Sequence, residues 1–173
     1  MMGPECSGQG GVAGFERLRA QEVVVIGLGN PLMTDEGIGI HLIAKLTGGA
    51  EFPNVGFHDL GTSGTRVLHA IAGKGKAIFV DCALMGEEPG VIRRFTPEDV
   101  QSAKNLGQFS LHEGDLFSIL ELSRRLGECP GEIVIFGIQP QVVSPGRSLS
   151  PVLSAKLDEY VASVTAELNS GYS

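Results

Sequence analysis

A chain of 173 residues, 42% of them hydrophobic, is long enough for one domain with a sizeable core, and none of its apolar runs approaches the ~20 residues of a membrane span. With 13 basic against 20 acidic residues, a net charge of −7, the surface as a whole repels phosphate backbones, so nucleic acid is not an expected partner. Cys6, Cys82 and Cys129 are too widely spaced for a zinc or redox pair and read as reduced thiols, and the N-terminal stretch lacks the apolar core of a signal peptide. The expectation is therefore a mobile N-terminal extension over residues 1–21, a single domain over 22–173 and a cytoplasmic location.

The first apolar run, Val23 to Ile26, has no polar alternation, which suits a strand covered on both faces. Gly27 and Gly29 permit a tight exit, Asn30-Pro31 marks a loop, and Thr34, Asp35 and Glu36 resemble a helix start. A helix from Glu36 to Leu46 presents Gly39, Leu42, Ile43 and Leu46 on one face and is closed by Gly48-Gly49. In its first turn the unpaired amides and the macrodipole favour an acid, which sets Glu36 where it can face a cation; simple capping is the alternative. A dinucleotide fingerprint is disfavoured because its third glycine falls on Leu32. His41 lies roughly 140° around the helix from Glu36 and is not taken as a ligand.

Val55 to Leu60 reads as a second strand with Asp59 near its end, and Gly61 to Gly64 as a turn into a helix from Thr65 to Ala72. Ala77 to Val80 is another buried run that ends on Asp81, and ligands of open parallel sheets collect beyond such carboxyl ends. Val91 to Phe95, after Pro89-Gly90, resembles an edge strand guarded by arginines. Thr96-Pro97-Glu98-Asp99 opens a helix, Ser102 to Gly107 reads as loop, and Phe109 to His112 leads into a helix from Glu113 to Leu126 with Leu116, Ile119, Leu120 and Leu126 as its stripe. Glu132 to Ile138 is a further strand, ended by Gln139-Pro140, and the Pro- and Gly-bearing loop from Gln139 to Ser150 is a candidate contact surface. Ser150-Pro151 opens a final helix with Leu153, Leu157, Val161, Val164 and Leu168 on its apolar side. Strands alternating with helices imply an α/β domain with helices on both faces of a mostly parallel sheet and right-handed crossovers.

On parallel strands, Glu36, Asp81 and His112 reach one sheet edge. Two carboxylates and an imidazole suit a borderline divalent ion such as nickel or zinc, with coordination positions left open for substrate or water. The competing interpretation is three unrelated capping and turn residues.

Four ordered blocks then point to a family. GLGNPLMTDEGIG from Gly27, VDC at Val80 to Cys82 followed by Gly90, SLH at Ser110 to His112, and FGIQP at Phe136 to Pro140 resemble the hydrogenase maturation proteases. The similarity runs from about Val23 to the final helix. It implies a three-layer, phosphorylase/hydrolase-like sandwich with a twisted sheet of about five strands between helices. It also implies an endopeptidase that removes the carboxyl-terminal tail of a nickel-loaded nickel-iron hydrogenase large-subunit precursor. Glu36, Asp81 and His112 match the family's catalytic, metal-contacting positions, with nickel supplied by the substrate; Asp35 matches a motif position of undefined role. Two chemistries fit: metal polarisation of the scissile carbonyl, or Asp81 activating water as aspartyl proteases do. GLGNP also resembles the opening of peptidyl-tRNA hydrolase, but the following LMTDEG and the acidic surface argue against it. A metal-dependent assembly chaperone that checks the client without cutting is the non-enzymatic alternative.

Overall fold

The computed structural model describes residues 22–49, 52–105, 110–111 and 116–170, and turns the first apolar run into β1 (Val23–Leu28). A 3-10 turn at Thr34–Gly37 leads into α1 (Ile38–Gly49), followed by β2 (Val55–Gly61), α2 (Gly64–Ile71) and β3 (Lys76–Leu84). Next come β4 (Ile92–Phe95), α3 (Pro97–Asn105), β5 (Ser110–Leu111), α4 (Leu116–Arg125), β6 (Glu132–Ile138), α5 (Pro151–Ala155) and α6 (Leu157–Ser170). The main sheet has the order β2–β1–β3–β6–β4. Its first four strands are parallel, β4 closes one edge antiparallel to β6, and β5 pairs antiparallel with the end of β3. The expected mostly parallel sheet between helices is therefore present. The expected N-terminal extension, residues 1–21, lies outside the described residues.

Strand pleating divides the interior into two cores. Val24, Ile26, Ala77, Phe79, Ile133 and Ile135 face α2, α3 and α4, whereas Val25, Ile78, Val80, Val134 and Phe136 face α1, α5 and α6. Because both faces are covered, the central strands read as unbroken apolar runs. The chain winds from β1 out to β2 and then back past β1 to β3, so the segments leaving β1 and β3 diverge and open a crevice between them. Gly39 sets the depth of α1 over that crevice: a Cβ there would collide with the carbonyl oxygens of Leu28 and Val80. Gly39→Ala is expected to lower stability by about 3 kcal/mol, read from urea denaturation, because backbone rather than a movable side chain must give way.

Several boundaries differ from the sequence reading, each for a local reason. Glu36 lies in the 3-10 turn and not inside α1, and Gly48 and Gly49 are the last residues of α1 rather than a stop after it. β3 continues beyond Asp81 to Leu84 because β5 pairs with Ala83 and Leu84. Residues 102–105 are helical, not loop: α3 is opened by a reciprocal cap in which Asp99 N–H donates to Thr96 Oγ1 at 3.2 Å and Thr96 N–H to Asp99 Oδ2 at 2.8 Å. Leu126 follows the end of α4 and is exposed. The final helix is broken at Lys156, whose N–H bonds back to Leu153, and its largest core residue is Tyr160. The Tyr160 hydroxyl donates to the Gly90 carbonyl at 2.8 Å, and burial pushes its pKa up to about 12.

At the other end of the sheet, Glu167 of α6 accepts from Lys76 Nζ and from Arg94 Nε, both at 2.7 Å. The Arg94 hydrogen bond first, and Lys76 with it, bring the Glu167 carboxyl down to about 2. Since its folded pKa lies below the unfolded value, the contribution is complete above that ordinary value and disappears as pH falls toward 2. Glu167→Gln is expected to destabilise the protein by on the order of 2 kcal/mol at neutral pH. Thermal melting of wild type and variant should converge on acidification from about 4.5 toward 2.

Candidate active site

Two acids come together at the crevice. Asp81 is completely buried and Glu36 is 4% exposed. Asp81 sits in β3 opposite Gly137 of β6, beyond the last residue that pairs with β1, so its strand is open on the β1 side. Its Oδ1 accepts the Cys82 N–H at 2.8 Å. Gly29, with φ of 117°, turns the chain out of β1 between the Glu36 backbone and the Asp81 carboxylate: a Cβ there would collide with the main-chain carbonyl oxygen of Glu36 and lie 3.8 Å from Asp81 Oδ1. Only glycine combines that dihedral with so close an approach.

Asp35, beside Glu36, is also fully buried, and its carboxylate is taken up by backbone amides of the loop after β6. Its Oδ2 accepts from the N–H groups of Gln141 and Val142 at 2.9 and 3.0 Å, and its Oδ1 from Ser150 N–H at 2.7 Å. Thr34 adds a second fastening: its hydroxyl donates to the Val142 carbonyl at 2.8 Å and accepts from Ser144 N–H at 3.1 Å. Asp35 and Thr34 thus bind the β6–α5 loop to the turn that carries Glu36. Gln139, at the end of β6, performs the same task for the loop after β3, its side-chain oxygen accepting from Met85 N–H at 2.7 Å.

These loops border a cleft of about 360 Å³ lined by Cys82, Leu84 and the run from Gln139 to Val143. The Cys82 thiol is pushed far up by burial and then by Asp81, Glu36 and Asp35, so it stays protonated and all three carboxylates act on this one spot. Cys82 and Cys129 are free thiols, while Cys6 lies outside the described residues.

Of the three residues expected to share the sheet edge, the structure brings Glu36 and Asp81 to the same crevice. His112 lies outside the described residues; the residue before it, Leu111, pairs with Ala83, two positions from Asp81. Among the described residues, no group of three or more His, Cys, Asp or Glu side chains is placed to hold a metal ion. His41 stands apart on α1 with a buried Nε2 that has no hydrogen-bond partner. The sequence reading missed the anchoring by Asp35 and Gln139. The available signal was a polar side chain at a turn or strand end, too common to single out.

A doubly wound α/β sheet with two buried acids where its strands diverge is the architecture of an enzyme that binds at the carboxyl edge. The family model for HycI hydrogenase maturation proteases matches residues 40–167, a stretch that contains Asp81 and His112 and begins just after Glu36. The hydrogenase 2 maturation protease of Escherichia coli is 29% identical over 148 residues, 84% of this chain and 90% of that protein. The hydrogenase expression/formation protein HoxM of Cupriavidus necator is 31% identical over 141 residues, 80% and 70% of the two chains. The solved structure of the hydrogenase-maturating endopeptidase HybD from Escherichia coli superposes with a TM-score of 0.75 at 27% identity, covering 87% of this chain and 93% of that one. The chain belongs to the hydrogenase maturation protease family and is a peptidase. That membership sets aside the peptidyl-tRNA hydrolase alternative. Among the described residues, no helix is long and apolar enough to cross a membrane.

Proposed function

We propose that this peptidase removes the carboxyl-terminal tail of a nickel-loaded nickel-iron hydrogenase large-subunit precursor, and that Glu36, Asp81 and His112 contact the nickel as part of the substrate. The observation that supports it is that two buried acids, Glu36 and Asp81, flank Gly29, which packs on the Glu36 backbone carbonyl and lies beside Asp81 Oδ1, at the place where an open α/β sheet takes its ligand. Two carboxylate oxygens and one imidazole nitrogen suit a borderline divalent ion and leave positions for the client's own ligands. Nickel, when the precursor carries it, supplies a Lewis acid beside the scissile carbonyl. The chain's own part is to fix the acids: Cys82 N–H orients one oxygen of Asp81, and the bonds of Asp35 hold the turn whose backbone carries Glu36. In the acid-base alternative, Asp81 would take the proton from an attacking water.

The test is incubation of nickel-loaded and nickel-free precursor with wild type and with Glu36→Ala, Asp81→Ala and His112→Ala. A shorter large subunit on a gel is expected only with wild type and loaded precursor. Full cleavage by all three variants would remove the site assignment. Equal cleavage of both precursors would remove nickel as the recognition element, and complex formation without cutting by wild type would favour the chaperone alternative.

A further inference from the structure

Large apolar side chains are seldom left exposed on the described surface, and Leu32, Leu84, Val142 and Val143 are among those that are, at 53%, 52%, 41% and 38%. All four lie at the carboxyl end of the sheet, in β3 or on the loops that leave β1 and β6. Apolar groups gathered on one rim mark a contact site rather than ordinary surface scatter. Leu84, Val142 and Val143 line the cleft described above, and its volume of about 360 Å³ suits a short piece of polypeptide rather than a domain face.

The lining also decides the chemistry of the occupant. It includes no Lys, Arg, Asp, Glu or His, and the Gln139 side-chain oxygen is already occupied by Met85 N–H. An acidic side chain entering here would shed water, find no cation in the lining and meet the carboxylates that bear on Cys82, whereas an apolar one would cover Leu84 and the valines. Cys82 lines the cleft and Asp81 precedes it in β3, so the two side chains leave opposite faces of the strand and the cleft adjoins the candidate active site across the carboxyl end of the sheet. Its loop wall is fixed in advance, because Gln141 and Val142 are bound through their amides to Asp35. Such preorganisation reduces the ordering cost of binding.

We propose that this cleft is a subsite for an apolar side chain of the client polypeptide close to the bond that is cut, with Leu84, Val142 and Val143 as the selecting residues. The inference rests on the peptidase acting on a hydrogenase precursor as set out above.

The experiment measures steady-state processing of the nickel-loaded precursor by wild type, by the Val142→Asn, Val143→Asn double variant, by Leu84→Asn and by Leu126→Asn. Leu126 is exposed beyond the end of α4 and outside the cleft, so that variant is the control. The cleft variants are expected to lose about tenfold in kcat/KM, carried mainly by KM, while the control is unchanged. In parallel, each client residue near the cut is replaced by Asp. One position should cost wild type about tenfold or more, and cost the double variant much less. Wild type that cuts well while the cleft variants keep their KM, or tolerance of Asp at every client position, would overturn the subsite and leave the processing activity standing. Failure of wild type to cut any loaded precursor would overturn both.

Discussion

Asp81→Asn is expected to reduce processing of the nickel-loaded precursor at least about a hundredfold while leaving the fold in place. The amide keeps the side chain's shape and one carbonyl oxygen, so the Cys82 N–H retains its acceptor and the buried position loses no volume. What disappears is the negative charge and the ability to accept a proton. Both chemistries considered above need those properties, one as an anionic oxygen facing the substrate's nickel and the other as the base for water. The loss should therefore appear in kcat, and raising the precursor concentration should not restore it. A melting temperature within a few degrees of wild type would show that the loss is chemical rather than structural. Near-normal turnover in a folded Asp81→Asn protein would remove Asp81 from the reaction and leave Glu36 to explain why an acid is buried at this turn.

The parts of the fold visible in the sequence were those governed by continuous apolar burial. β1, β3 and β6 are covered on both faces, so their runs admit few other interpretations, and the alternation with helices gives a mostly parallel sheet. Glu36 and Asp81 were visible as acids following such runs. Less visible was everything fixed by pairing between distant segments. β5 has two residues and exists through its register with Ala83 and Leu84, so no local pattern announces it. The extension of β3 past Asp81 follows from the same pairing. Tyr160 was overlooked beside the more obvious Leu and Val residues of the final helix, although it fills the core and ties α6 to Gly90. The role of Asp35 was hidden for a related reason. A carboxylate whose partners are backbone amides more than a hundred residues away leaves no mark on those partners' side chains, so neither end of the contact looks unusual in the sequence.

That contact leads to the second large effect. Asp35→Ala is expected to cost about 3–5 kcal/mol and to free the β6–α5 loop, whereas Asp35→Asn should cost distinctly less. In wild type the buried carboxylate takes N–H bonds from Gln141, Val142 and Ser150, each at 3.0 Å or less. Alanine removes both acceptor oxygens, and with them all three bonds, at once. Ser150 N–H is in the interior, so its desolvation is not recovered by water, while Gln141 and Val142 lie at the surface and can be rehydrated only if the loop moves outward. Asparagine retains one acceptor oxygen but turns an NH2 toward an N–H, so part of the anchor survives. Arg147 gives a local readout, because it is exposed within this loop and trypsin cuts after arginine. Limited tryptic cleavage at Arg147 should be slow in wild type, intermediate in Asp35→Asn and fast in Asp35→Ala, under conditions where the β-strands remain protected from hydrogen exchange. Processing should fall in the same order, since the turn that loses its anchor also carries Glu36. If Arg147 were cut no faster in Asp35→Ala than in wild type, the loop would be fixed by Thr34 and the adjoining backbone bonds, with Asp35 contributing little to its position.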